Sequence, residues 1–300
     1  MKLSALRILV LGARGRLGGT LVRRCLACGV EVIPMGRADV DLLNVADLTA
    51  KLRLTKFDAL VNAAGITSVD YCESHPEEAH AANATGPEAI ARVCQERGAR
   101  FIQISTDYVF GGAEPGLRKE SDPTGPTSVY GQSKLDGERL VLDACPGALI
   151  PRVSWLFGRE GKPSFPDMII DRALRSDQVS AVDDKWSCPT YAEDLADWLM
   201  PFLHENADVS GPLHLCNSGM CSWQEYAQKA LDLAADTLNL PVKTRSVTGH
   251  TMHGFAEFKA KRPPHTAMST EAFTSVSGTT PRAWQEALEE YLRLKYAGSR

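Results

Sequence analysis

A short apolar run followed at once by three evenly spaced glycines and an amphipathic helix admits few folds. Arg7-Ile8-Leu9-Val10-Leu11 is apolar and β-branched, as a strand inside a parallel sheet is. Gly12-Ala13-Arg14-Gly15-Arg16-Leu17-Gly18 follows, and Leu17, Leu21, Val22, Cys25 and Leu26 recur at helical spacing before Gly29. In a strand–turn–helix of this kind the glycines let the backbone turn tightly and approach a pyrophosphate. The helix N-terminus adds free N–H groups and the positive end of its dipole. The expected cradle is Gly12, Gly15 and Gly18 with Arg14, Arg16 and Leu17 between them. The spacing is Gly-x-x-Gly-x-x-Gly, a variant of the commoner Gly-x-Gly-x-x-Gly.

The chain continues as alternating strands and helices. A second strand over Glu31 to Met35 completes a βαβ unit. A carboxylate normally meets the ribose 2′-hydroxyl of NAD at its end. Gly36-Arg37 stands there instead, and Arg37 with Arg14 suits a 2′-phosphate, which arginine binds bidentately. This favours NADPH; Asp39 or Asp41 folding back to the ribose would admit NADH. Asp41-Leu42 is better placed for the adenine edge. A third strand from Phe57 ends in the small residues Ala63, Ala64 and Gly65, which leave room for a cofactor. A fourth runs from Arg100 to Ser105 and delivers Thr106 to the same rim, and a fifth spans Ala148 to Val153. The expected fold is α/β, a Rossmann-type doubly wound parallel sheet over 1–153. A smaller α+β substrate lobe is expected over 154–300, with some of its segments returning to the first domain.

Tyr130 and Lys134 stand four residues apart, so on a helix they share one face. A free phenol, with a pKa near ~10, transfers protons poorly at pH 7. A cation about 4 Å away at an effective dielectric of about 20 favours the phenolate by roughly 4 kcal/mol before offsetting losses. Thr106 would aim a neutral donor at the same carbonyl oxygen.

Composition removes other classes. At 44% hydrophobic and 23% charged, with a net charge of -4 over 300 residues, the chain has no basic field for nucleic acid and no anchor for an acidic membrane. The N-terminal apolar run, Ile8 to Leu11, is too short for a signal-peptide core or a span, and no later segment is long enough. The eight cysteines read as reduced thiols of a cytoplasmic protein, Cys25-x-x-Cys28 included, and no ligand cluster for a metal is visible.

With these residues in view the chain resembles the extended short-chain dehydrogenase/reductases, and among them the dTDP-4-dehydrorhamnose reductases. The matching pieces are Gly12-x-x-Gly15-x-x-Gly18, Asn62-Ala63-Ala64, Ser105-Thr106-Asp107-Tyr108-Val109-Phe110, Tyr130-Gly131-Gln132-Ser133-Lys134-Leu135, Arg152-x-x-Trp155, Cys188-Pro189-Thr190 and Arg262-Pro263. The resemblance implies hydride transfer from NADPH to C4 of a nucleotide-linked 4-keto-6-deoxy sugar. In it Tyr130 protonates the alkoxide, Lys134 holds the nicotinamide ribose and lowers the Tyr130 pKa, and Thr106 binds the carbonyl oxygen. Val69, Tyr108 and Trp155 would wall the sugar pocket and Arg262 would meet the substrate diphosphate. Trp155 and Trp186 have an equal claim as lobe packing. A homodimer is common in the family and stays open here. The chain departs from the family pattern at Gly111-Gly112, where Asp-Gly is usual, and at Asp184-Lys185-Trp186-Ser187, where Asp-Gln-x-Gly is usual; the second leaves the exact sugar open. The regulatory β subunit of methionine adenosyltransferase, which binds NADP without turnover, and the nucleotide-sugar epimerases share part of the pattern. Arg152-x-x-Trp155 and Thr106 favour the reductase.

Overall fold

The computed structural model describes residues 6–204, 208–254 and 258–296; the ends of the two expected domains, 1–5 and 297–300, lie outside the described residues. The first half runs β1 (Arg7–Leu11), α1 (Arg16–Ala27), β2 (Glu31–Met35), α2 (Val45–Leu54), β3 (Ala59–Asn62), α3 (Val69–Ser74), α4 (Pro76–His80), α5 (Gly86–Arg97), β4 (Arg100–Gln103), β5 (Ser105–Thr106), α6 (Val129–Ala144) and β6 (Leu149–Val153). The second half adds β7 (Leu156–Phe157), α7 (Phe165–Arg175), β8 (Ser180–Val182), β9 (Trp186–Ser187), β10 (Thr190–Tyr191), α8 (Ala192–Leu199), β11 (Gly211–His214), β12 (Cys221–Ser222), α9 (Trp223–Asp232), β13 (Thr248–His250), α10 (Glu271–Ser277) and α11 (Trp284–Tyr296).

Alternation along β1 explains the layering. Successive side chains of a strand point to opposite faces. Ile8 and Val10 pack with Leu17 and Leu21 of α1 and Leu195 and Leu199 of α8. Leu9 and Leu11 pack with Leu48 and Leu52 of α2 and with Ile90 and Val93 of α5. Both faces are covered, so the strand is apolar throughout. The principal sheet is parallel in the order β11-β6-β4-β3-β1-β2, with β5 beside β6. The chain steps from β1 outward to β2 and then crosses to β3 on the other side of β1. Ligands bind at such a reversal, beyond the carboxyl ends of the strands.

Several elements differ from expectation. The fourth strand breaks at Ile104, whose N–H bonds Asn62 O (3.2 Å) while its carbonyl turns to Lys134 Nζ (2.6 Å). A π-helical turn, Ala81–Thr85, joins α4 to α5. No expectation covers α2 and α3: α2 turns only Leu48 and Leu52 fully inward, and α3 has six residues, too few for a period to show.

The second half has its own aromatic core, in which Phe157, Tyr191, Tyr226, Trp284 and Tyr291 pack between β7, β10, α9 and α11. α8 and β11 leave this lobe, α8 to cover α1 and β11 to extend the principal sheet beside β6. No helix among the described residues is long and apolar enough to cross a membrane. All eight cysteines are free thiols, Cys25 and Cys28 included.

Candidate active site

The carboxyl ends of β1, β3, β5 and β6 open into a cleft of about 850 Å³. At one end is the glycine turn. Gly12 has φ +75°, and a Cβ there would lie 2.8 Å from the Ala63 carbonyl and the Ala64 nitrogen, so only glycine lets β1 and β3 meet at the rim. A Cβ on Gly18 would come within 2.1 Å of Gly12 O. Gly18 therefore packs the helix onto the turn and does not line the cleft. α1 begins at Gly15 with no side-chain cap and no acidic residue in its first turn. Its leading N–H groups and dipole are thus left for an anion.

The arginines of this end divide. Arg14 and Arg37 line the cleft, both are exposed, and neither has an ion pair among the described residues. Arg16 turns away: its guanidinium donates to the carbonyls of Gly158 (2.8 Å), Glu160 (3.2 Å) and Lys162 (2.7 Å) and fastens that loop to α1. Gly15, Arg16 and Leu17 border the cleft at the helix start. The Asp39 carboxylate accepts from Gly36 N (2.8 Å) and that of Asp41 from Leu43 N (3.1 Å), so both are engaged in their own turns. Asp41, Leu42, Ala63, Ala64 and Gly65 line the wall.

At the other end stand Thr106, Tyr130 and Lys134, all buried. Ser128 caps α6 by accepting from Gly131 N (3.2 Å), which starts the helix one residue before Tyr130. Tyr130, Lys134 and Glu138 then follow at four-residue intervals on one face. Glu138 forms a buried pair with Arg152 of β6 (2.7 Å) and also accepts from Ser105 Oγ, tying the helix to the sheet. The Tyr130 ring meets Tyr108 edge-on with centroids 5.5 Å apart.

Burial pushes the Tyr130 phenol well above its ordinary value; a hydrogen bond with Thr106 pulls it back, and the charges of Asp107 and Cys72 add to the rise. Burial brings Lys134 down to about 8, against Glu138 and Cys72, which favour its charge. The expected lowering of the Tyr130 pKa by Lys134 is not what this geometry shows. The ammonium is engaged on the Ile104 carbonyl, and it is not among the groups that move the phenol.

Val69, Tyr108 and Trp155 also line this end. Trp155 has φ +43°, a backbone region costly for a bulky residue. Its ring lies against Trp223 (5.7 Å) and Tyr226 (6.2 Å), so it walls the cleft and packs the lobe at once. Arg262 does not line the cleft. It pairs with Asp70 (2.6 Å) and lies over the Phe258 ring at 3.7 Å.

Sequence reasoning missed four contributors. Asn83, in the π-helical turn, bonds both backbone groups of Ile66 (2.9 Å each) and Ser133 Oγ (3.1 Å), pinning the loop after β3 to α6. Asp70 accepts from Lys259 N, Ala260 N and Arg262 and so binds α3 to the 258–262 segment. Asp107 and Lys185 are both buried at the Tyr130 end, where Asp107 borders the cleft and Lys185 does not. Asp107 lies inside the Ser105–Phe110 motif and Lys185 at a departure from the family pattern, but nothing local in the sequence says that either side chain is buried.

A model described as the RmlD substrate binding domain matches residues 6–296. The chain belongs to the RmlD family. Among its relatives, the dTDP-4-dehydrorhamnose reductase of Mycobacterium tuberculosis is 36% identical over 292 residues, 94% of this chain and 91% of that one. A crystal structure of a dTDP-4-dehydrorhamnose reductase from Clostridium acetobutylicum superposes with a TM-score of 0.89 at 31% identity, covering 97% of this chain and 99% of that one. The Bacillus anthracis dTDP-4-dehydrorhamnose reductase, in complex with NADP, gives 0.88 at 28% identity over 96% and 98% of the two chains. Membership of the RmlD family spans both halves, so the aromatic lobe belongs to the family unit as much as the parallel sheet does.

Proposed function

We propose that the protein reduces the 4-keto group of a nucleotide-linked 6-deoxy sugar with NADPH, as in the making of dTDP-L-rhamnose or a related deoxysugar. The observation that carries the reading is one continuous cleft. It joins an uncapped helix start beside two unpaired arginines to Thr106, Tyr130 and Lys134 at its far end. The residues fit the dinucleotide: the glycine turn and α1 for the pyrophosphate, Arg14 and Arg37 for the 2′-phosphate, Ala63 to Gly65 for close approach. Bound there, NADPH supplies the hydride.

The chain's own residues do the rest. Tyr130 holds its proton firmly because burial disfavours the phenolate, and it gives that proton up only as negative charge develops on the substrate oxygen. Thr106 lines the same end of the cleft as Tyr130 and is the second hydroxyl that faces the substrate oxygen. Lys134 places a cation on the ribose side, and Val69, Tyr108 and Trp155 exclude water around the sugar. Arg262 reaches the substrate diphosphate by exchanging Asp70 for phosphate oxygens.

The test is NADPH oxidation with a dTDP-4-keto-6-deoxy sugar taken through 3,5-epimerisation, beside Tyr130→Phe. Turnover in the wild type and a loss of about 10²–10⁴-fold in the variant are expected. NADPH binding without consumption of any keto sugar would overturn the reading and leave a nucleotide-binding subunit in its place.

A further inference from the structure

Lys185 stands where the family pattern Asp-Gln-x-Gly has glutamine, and it is 0% exposed although it follows Asp183 and Asp184 directly. Its ammonium donates to Pro263 O (2.7 Å) and Thr266 Oγ1 (3.4 Å). It lies over the ring of Tyr108 at 4.8 Å and that of Trp155 at 6.0 Å and does not itself line the cleft that those rings border. The nearest countercharge is Asp107, reached through Thr266. The Thr266 hydroxyl receives from Lys185 and gives to Asp107 Oδ2, while Ser187 Oγ (2.9 Å) and Thr106 Oγ1 (3.1 Å) donate to the same carboxylate. Burial disfavours both charges and each favours the other. An apolar or neutral side chain would pack this space without that conflict. The ammonium, facing two aromatic rings, uses an attraction neither a glutamine nor a methionine supplies.

We propose that Lys185 is a positioning residue for the sugar: through its contacts with the Tyr108 and Trp155 rings it holds both in the orientation that forms the sugar subsite, and through Thr266 and Asp107 it locks that wall to Thr106. This rests on the reading that the keto sugar binds at the Tyr130 end of the cleft. Lys185 touches none of the cofactor-end residues, so its effect falls on the sugar alone. It stands on β9's lead-in, and the rings it holds come from the turn after β5 and the turn after β6. The subsite thus depends on three segments far apart in sequence being held by one side chain.

The test compares Lys185→Met, Lys185→Gln and the double variant Lys185→Met/Asp107→Asn. In each, NADPH affinity is read by fluorescence titration, KM and kcat by turnover with the keto sugar, and Tm by thermal unfolding. Lys185→Met should raise the sugar KM by about 10-fold or more, because a small misplacement of a positioning wall carries a large cost. NADPH affinity should stay unchanged and Tm should fall, since Asp107 is left buried without its partner. The double variant should regain Tm and keep the raised KM. Lys185→Gln, which retains a donor for Pro263, guards against a methionine variant that does not fold and should show the raised KM with a smaller fall in Tm. A sugar KM that recovers with Tm in the double variant would reduce the pair to packing and overturn the proposal. So would an unmoved KM, or a parallel loss of NADPH affinity. Absence of turnover in the wild type would overturn the proposed function itself, whereas wild-type turnover with an unmoved KM would sink only the role of Lys185.

Discussion

The two ends of the cleft are made from different kinds of sequence. The cofactor end is built by residues close together in the chain: β1, the glycine turn and α1 lie within 7–27, and Arg37 and Asp41 follow directly on β2. The Tyr130 end is built by contacts between segments 50 to 192 positions apart, among them Asn83 to Ser133, Asp107 to Ser187 and Thr266, and Asp70 to Arg262. The first end should answer to local backbone changes and the second to the loss of long-range polar ties.

The largest expected effect falls on the seam between them. Arg152→Met leaves Glu138 buried and unpaired on the face that carries Tyr130 and Lys134, and should cost about 3–5 kcal/mol in denaturant unfolding. Stability near wild type would show that α6 is held by packing alone and that the two ends are independent.

Next comes the glycine turn. Gly18→Ala puts a Cβ into Gly12 O, so α1 must shift. NADPH affinity should fall by roughly 100-fold, with a stability cost of about 1–3 kcal/mol. Unchanged affinity in a titration would mean that the cofactor end does not depend on that close approach.

Cofactor choice gives a finer cut. Removing both guanidinium groups in Arg14→Ala/Arg37→Ala should lower the NADPH-over-NADH preference by about 10–100-fold, the worth of one or two charge-assisted contacts. The measurement is kcat/KM with each nucleotide, and a fall of both together would break the assignment to the 2′-phosphate.

A pH series separates Lys134 from the arginines. Its pKa is lowered to about 8 by burial, so the ammonium is present below that value and lost as pH rises through it. NADPH affinity should weaken by about fivefold between pH 7 and 9, and the slope should vanish in Lys134→Met. The smallest effect is expected for Asp70→Asn, a partly exposed partner of Arg262, which should change the sugar KM by about two- to fivefold and leave NADPH binding alone.

Much of this was legible in the residues themselves. β1 falls where its apolar run places it, because a strand buried on both faces needs unbroken apolar sequence. Tyr130 and Lys134 share a face because helical spacing requires it. The reading was weaker where it depended on direction. Arg16 lies in the glycine turn but points at the 158–162 loop, and Arg262 follows the family motif but rests on Asp70. Sequence spacing gives the position of a side chain and not the partner it finds.

The order of strands and helices, the glycine turn and the shared face of Tyr130 and Lys134 were set by local sequence, since each follows from periods and turns spanning a few residues. Tertiary structure alone decided the break at Ile104 that gives Lys134 its carbonyl, the return of β11 to the principal sheet, and the burial of Lys185 against Tyr108 and Trp155. The reason is physical. A charge in a loop is solvated or buried according to what folds over it, and the residues that cover Lys185 come from segments that no local pattern connects.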